Sequence, residues 1–387
     1  MQLGFGSADA LRLAIGVCIG ALAGCAAKSS TPAHTELSPM QSAAQPAGSE
    51  ASAATLRSAG LAPSGSAASN AGSAAMRTAL APAAAEPPDD AAAHITAAPF
   101  VGSSLDSDTI LKALSQSELS ALRPVGSTST VFRSQLDAPF RAAFKAATQR
   151  RPLGPVAEVA AYRLARCLGL DNVPPAVLRR VPVSVLQQQL DAEFVRQWPR
   201  IAPRLLTEHD GSVEGAAIFW IEGLRKLDLA SPSVRAGTQR VLSLSEPLPD
   251  PPPPLAAGLS SLLAFDYLIG NWDRWSGGNV KGDATGQILY ARDQDAAFGG
   301  RLSEPLQRRL LDPVLATERF SRQFVQRLRA LTRSAYHSEL ARDAVFAERP
   351  RLDERSLARL FDRRATLLSH VNALIEERGE QRVLAFP

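Results

Sequence analysis

Four segments of this 387-residue chain put reactive side chains where rigid neighbours can aim them. The first is "LIGNWDRWSGGNV", residues 268–280, where an apolar run stops at Gly270 and Asn271, Asp273, Arg274 and Asn279 follow among tryptophans and glycines. A turn needs Gly and Asn, but it has no need of an Asp-Arg pair flanked by tryptophan. Asp273, held between a helix end and a glycine-rich turn, is placed to accept a proton from a hydroxyl. The simpler reading is an Asx-turn, in which the same carboxylate only caps the loop. The second segment is "ARDQDAAFGG", residues 291–300, with Asp293 and Asp295 at the end of an apolar strand. Carboxylates there suit Mg²⁺ or Mn²⁺, which take oxygen ligands, and Asn279 offers a further oxygen. Phosphoryl transfer uses this combination: one Asp orients the acceptor hydroxyl, while another Asp and an Asn hold metal.

The third segment, "RAAFKAAT" (141–148), ends an apolar strand on Lys145, and Glu158 follows in the first turn of the next helix. At about 100° per residue, Arg163 and Arg166 mark the solvated stripe of that helix. Glu158 lies roughly a third of a turn away, on the side of Tyr162 and Ala165. A carboxylate so placed can position a lysine on nucleotide phosphates, although acidic residues also favour helix N-termini for electrostatic reasons alone. The fourth segment is "GSTST", residues 126–130. The amides and hydroxyls of Gly126, Ser127 and Thr128 can cover phosphates, or can form no more than a hydroxyl-rich connection.

The elements that must carry these residues follow from pattern. "DSDTILKALSQSELSALRPV" reads as one or two short helices. Val131 and Phe132 begin a strand, "FRAAFKA" is its hairpin partner, and "LDAP" is the turn between them. A helix is expected over 156–168 with Gly169 as its stop. "VPPAVLRRVPV" is extended, "GAAIFWIEGL" is a buried strand, and "PDPPPP" (249–254) is a polyproline linker. "LAAGLSSLLAFDYLIG" is a helix, "QILYARDQDAAFGG" a strand and turn, and everything beyond about 306 is amphipathic helix. The order predicts an α+β, two-lobed fold. A β-rich N-lobe (about 105–222) precedes a mainly helical C-lobe (about 223–387), with the site in the cleft between them.

Composition bounds the rest. The net charge is +4, but arginines alternate with Asp and Glu and no basic block forms a nucleic-acid arm, so nucleic acid is excluded as a partner. Residues 26–104 are rich in Ala, Ser and Pro, poor in aromatics, and read as a disordered tether. The apolar run of "LRLAIGVCIGALAG" (11–24) is too short to span a bilayer comfortably and leads into Cys25. It reads as a secretory signal, and "LAGC" resembles a bacterial lipobox, which implies lipid attachment at Cys25; the simpler reading is an uncleaved hydrophobic anchor, and both place the domain outside the cytoplasm. Cys18 lies in the signal, so Cys167 is the one thiol of the folded part and has no disulfide partner there.

Over roughly residues 120–375 the sequence resembles the atypical secretory-pathway kinases, the Golgi casein kinase and four-jointed group. The resemblance rests on "FK" (144–145), "EVAAYRLAR" (158–166) with "VPP" (173–175), "EGAAIFWIEG" (214–223), "FDYLIGNWDR" (265–274) and "DQDAAFG" (293–299). It implies a protein-kinase-like fold binding ATP with Mg²⁺ or Mn²⁺. Lys145 would then bind phosphates, Glu158 would position it, Asp273 would be catalytic, and Asp293 rather than Asp295 would be the metal ligand. The sequence departs from the family pattern at several points. Trp275 stands where a His is usual, Asn279 is one place late, Gln294-Asp295-Ala296 stands where Asn-Gly is usual, and the family's disulfides are absent. Two functions follow from these residues: an extracytoplasmic, lipid-anchored kinase acting on a hydroxyl of a protein or glycan, or a catalytically inactive kinase-shaped scaffold of the envelope. A third, a relative of phosphatidylinositol kinases or toxin kinases, shares the Asp-Arg loop but fits the Val-Pro-Pro segment less well.

Overall fold

The computed structural model describes residues 99–126, 129–227, 232–274 and 279–387. The signal, Cys25, residues 26–98, Ser127 and Thr128 lie outside them. No described helix is long and apolar enough to cross a membrane.

The first half is built on an antiparallel five-stranded sheet. Its strands are β1 (Ser120–Val125), β2 (Val131–Gln135), β3 (Arg141–Ala146), β4 (Ala176–Pro182) and β5 (Ser212–Phe219), in the order β1-β2-β3-β5-β4. Two helices sandwich it: α1 (Ser107–Gln116) and α2 (Gly154–Leu168). Alternation along β3 assigns the faces. Ala142 and Phe144 pack with Ile110 and Leu114 of α1, while Ala143 points to the α2 side with Ala216 and Ile218. Lys145 follows in phase with Ala143, paired to Val131 of β2 and Ala216 of β5. It therefore faces α2 from the middle of the sheet.

The second half contains α3 (Pro232–Leu242), α4 (Pro254–Ile269), α5 (Glu304–Leu315), α6 (Arg322–Ala330), α7 (Arg333–Leu340) and α8 (Glu354–Arg378). A small sheet of β6 (Arg225–Lys226), β7 (Lys281–Gly282) and β8 (Leu289–Tyr290) accompanies them. Helix α4 is buried along most of its length, from Leu259 through Leu262 and from Ala264 to Ile269. Pro254 opens it, as suits a position without a hydrogen-bonding N–H. Gly270 closes it at φ 71°, with its N–H donating back to the carbonyls of Asp266 and Tyr267. That left-handed geometry favours glycine and turns the chain sharply into Asn271–Arg274.

The fold is the two-lobed, β-rich then helical architecture that the element order predicts, with several local corrections. The segment 120–125, expected as the end of a helical stretch, is β1. The buried strand expected over 215–224 instead runs from Ser212 to Phe219. The strand leading to Asp293 is only Leu289–Tyr290. Residues 99–104, assigned to the tether, belong to the fold. Phe100 is buried, its ring 5.3 Å from that of Phe219 and 6.1 Å from that of Tyr290.

The expected solvated stripe on α2 does not exist. Arg163 is buried, and Arg163 Nη1 and Arg166 Nε both donate to Glu339 Oε1 on α7, at 3.2 and 2.8 Å. Tyr336 Oη also donates to the Ala160 carbonyl at 2.9 Å. Residues 343–351 continue this strap onto the sheet. The β4 Leu178 N–H donates to Asp343 Oδ2 at 3.0 Å, Arg180 pairs with Glu348, and Arg351 pairs with Glu214 of β5.

Candidate active site

Lys145, Glu158 and Asp293 meet although the last two lie 135 positions apart in the chain. Lys145 Nζ is 2.5 Å from Glu158 Oε1, 3.1 Å from Asp293 Oδ1 and 3.6 Å from Asp295 Oδ2. Lys145 and Glu158 are each about 5% exposed. Burial disfavours both charges, and it raises the Glu158 pKa. For Lys145 the neighbouring carboxylates of Glu158, Asp293 and Asp295 outweigh burial and raise the pKa, so the ammonium stays charged. Asp293 is held below the ordinary carboxylate range. Burial pushes it upward, and the positive charges of Lys145 and Arg292 more than reverse that push; Arg292 Nη2 lies 2.8 Å from Asp293 Oδ2. Asp293 has φ 60°, a left-handed backbone that is uncommon outside glycine.

A buried polar web holds this cluster to the loop after α4. Gln294 is at its centre and is 1% exposed. Its N–H donates to Glu158 Oε1 at 2.9 Å and its side-chain amide donates to the Ala291 carbonyl at 2.8 Å. Its Oε1 accepts from Asn271 Nδ2 at 2.9 Å and from Arg274 Nη2 at 2.7 Å. Asn271 also donates to the Asp293 carbonyl at 3.0 Å. Arg274 is fully buried and pairs with Asp266 of α4, Nε lying 3.2 and 3.1 Å from the two carboxylate oxygens, and its remaining nitrogen donates to the Arg292 carbonyl. The Asp-Arg sequence thus divides its labour: the arginine anchors the loop inward while Asp273 faces the cleft. Asn279 donates to the Asp273 carbonyl at 3.0 Å and reaches its carboxylate Oδ2 at 3.5 Å.

The cleft has a volume of about 410 Å³, within the range of small-molecule sites. Its apolar wall includes Val131, Ala143 and Ile218, and Gly126 lies at its rim. Its charged lining is Glu158, Asp273, Asp293 and Asp295 against Lys145 and Arg292, four carboxylates to two cations. An excess of two negative charges in a concave site fits a divalent cation. Among the described residues no group of three His, Cys, Asp or Glu side chains could hold a metal alone. That is the ordinary situation for Mg²⁺-type ions, which use one or two carboxylates and complete their shell with phosphates and water.

The structure therefore gathers Gly126, Lys145, Glu158, Asp273, Asn279 and Asp293 around one cleft. Sequence reasoning passed over Gln294, Arg292 and Asp266. Asp266 did leave a signal, a lone carboxylate inside an apolar helix, where an unpaired charge is too costly to bury. Gln294 and Arg292 left none, because their roles depend on partners that only the fold supplies.

No protein-family model and no curated protein matches this sequence. Solved structures do. A Golgi casein kinase with Mn and ADP bound superposes with a TM-score of 0.53 at 18% identity, covering 72% of this chain and 78% of its own. Another structure of the Golgi casein kinase gives 0.52 at 18%, covering 72% and 79%. A hydra Fam20 with sugar gives 0.51 at 18%, covering 76% and 97%. The chain has the kinase-like fold of these proteins.

Proposed function

We propose that this chain is an ATP-dependent phosphotransferase that moves the γ-phosphoryl group to a hydroxyl of a protein or glycan. The observation that carries the reading is the Lys145–Glu158–Asp293 cluster, a buried ammonium aimed into the cleft by one carboxylate and shared with a second. The Mn/ADP-bound neighbour supports the same combination of ligands for a cleft of this fold. When bound, nucleotide and divalent cation supply the transferable phosphoryl group and the charge that offsets its oxygens. The chain's own part is positional. Lys145 holds phosphate oxygens, steadied by Glu158, and Asp293 holds the cation with Asn279 beside it. Gly126 lines the cleft, and on this reading it serves the phosphates together with Ser127 and Thr128, which follow it in the sequence. Asp273 accepts the proton of the acceptor hydroxyl, its carboxylate oriented by the Asn279 amide.

The sequence "LAGC" supports attachment to a membrane through a lipid on Cys25, with the domain outside the cytoplasm. Titration of ATP into the purified protein, with and without Mn²⁺, tests the activity. The wild type should bind nucleotide with Mn²⁺, and Asp293→Ala should lose that binding. Asp273→Ala should keep it while transfer to protein and glycan acceptors falls about 10²–10⁴-fold. A folded wild type that binds no nucleotide in Mn²⁺ would leave the inactive scaffold as the better reading.

A further inference from the structure

Three carboxylates converge on one lysine, which is one more than positioning requires. An ammonium has three N–H donors, and the three carboxylates around Lys145, those of Glu158, Asp293 and Asp295, lie at 2.5, 3.1 and 3.6 Å. Lys145 donates to Glu158 and Asp293 and faces Asp295 as a third ionic partner, so a phosphate oxygen must compete with three carboxylates for it. Glu158 cannot release it cheaply, because it is buried and is fixed by a second donor, the N–H of Gln294. Asp295 differs from the other two in holding Lys145 by charge alone, with no hydrogen bond, from a side chain that lines the cleft and is about 15% exposed. Its position is also built. Gly154, the first residue of α2, leaves room for it, since a Cβ there would stand 3.3 Å from the Asp295 Cβ. The start of a helix favours a carboxylate at that spot.

We infer that Asp295 makes nucleotide entry conditional on a divalent cation. With the cleft free of nucleotide, Asp295 and Asp293 engage Lys145 and leave the lining with its two surplus negative charges, so a polyphosphate arriving alone meets repulsion and a lysine already paired with carboxylates. A divalent cation drawn to the two aspartates removes both obstacles at once: it offsets their charge and frees Lys145 to turn to phosphate. Asp295 is thus a positioning residue acting through Lys145. The role rests on the phosphotransferase reading above, and it is read in binding rather than in turnover.

The experiment is calorimetric titration of ATP into the full-length protein in EDTA and in Mn²⁺, for wild type, Asp295→Asn and Asp295→Ser. Both variants remove the charge, and the first keeps the shape. The expected result is a gain of about tenfold or more in metal-free ATP affinity. The ratio of Mn²⁺-loaded to metal-free affinity should shrink by a similar factor, with the thermal midpoint held near that of wild type. Metal-free affinity unchanged in both folded variants would overturn the inference while leaving the phosphotransferase reading in place. A loss of Mn²⁺-dependent binding with no metal-free gain would overturn it too, since Asp295 would then be a metal ligand only. A wild type that binds ATP in neither condition removes both readings together.

Discussion

Replacing Asp266 with Ala should be among the most destabilising single changes in the helical lobe. Arg274 is fully buried and Asp266 is 1% exposed, with three nitrogen–oxygen contacts of 3.1–3.2 Å between them. Removing one partner of such a pair strands the other as an uncompensated buried charge, at a cost of about 3–5 kcal/mol. A domain has only about 5–15 kcal/mol in total, so the variant sits close to the limit of folding. With an m-value of about 3 kcal/mol per molar in urea, the unfolding midpoint should fall by about 1–2 M. The double variant Asp266→Leu with Arg274→Met removes both charges and should regain part of that loss. The recovery stays incomplete, because the Arg292 carbonyl and Gln294 Oε1 each lose the donor that Arg274 provides. Urea unfolding followed by tryptophan fluorescence measures all three proteins. An Asp266→Ala midpoint within about 0.3 M of wild type, or a double variant less stable than the single one, would refute the account of Arg274 as the charged anchor of the loop.

Two other outcomes are open to direct measurement. Burial pushes the Cys167 thiol up to about 12, well above the ordinary value near 8.5. The folded chain therefore keeps a proton that the unfolded chain sheds, and this contribution to stability is complete below about pH 8.5 and is lost progressively above it. Iodoacetamide at pH 8 should leave Cys167 unmodified in peptide mapping until denaturant is added, and rapid native labelling would contradict its burial. Cys25→Ser should release the protein from the membrane fraction; a variant that remains there, full-length and uncleaved, would rule out the lipobox reading.

What the sequence displayed, and what it concealed, follows from the range of the interactions. Lys145 and Glu158 were legible because a strand end and the first turn of the next helix fix their separation locally. Asp273 and Asp293 were legible because Gly270 and a short apolar strand punctuate them. Strand β1 was not, because its alternation is broken: Ala121 has φ 47°, the register slips between Ser120 and Arg123, and Leu122 is its one buried residue. Arg163 misled for a different reason. On α2 alone it looks like a solvated face, and the Glu339 that buries it lies 176 residues further on. The web around Gln294 joins residues from α2, the loop after α4 and the segment after β8, so no local pattern could announce it.

The contacts that strap α2 to the helical lobe have a consequence for control. A helix that carries the positioning glutamate can serve as a switch only if it is free to swing, carrying Glu158 toward Lys145 or away from it. Here that freedom is absent. Arg163, Arg166 and the Ala160 carbonyl are bound to α7, and Asp343 and Arg351 bind the adjoining strands. Rotating α2 would expose a buried guanidinium and break several such bonds together, at a cost of several kcal/mol. These contacts hold Glu158 beside Lys145 before any ligand arrives, like a lock with its tumblers already aligned. Regulation passes from shape to supply, to whichever nucleotide, cation and acceptor reach the cleft.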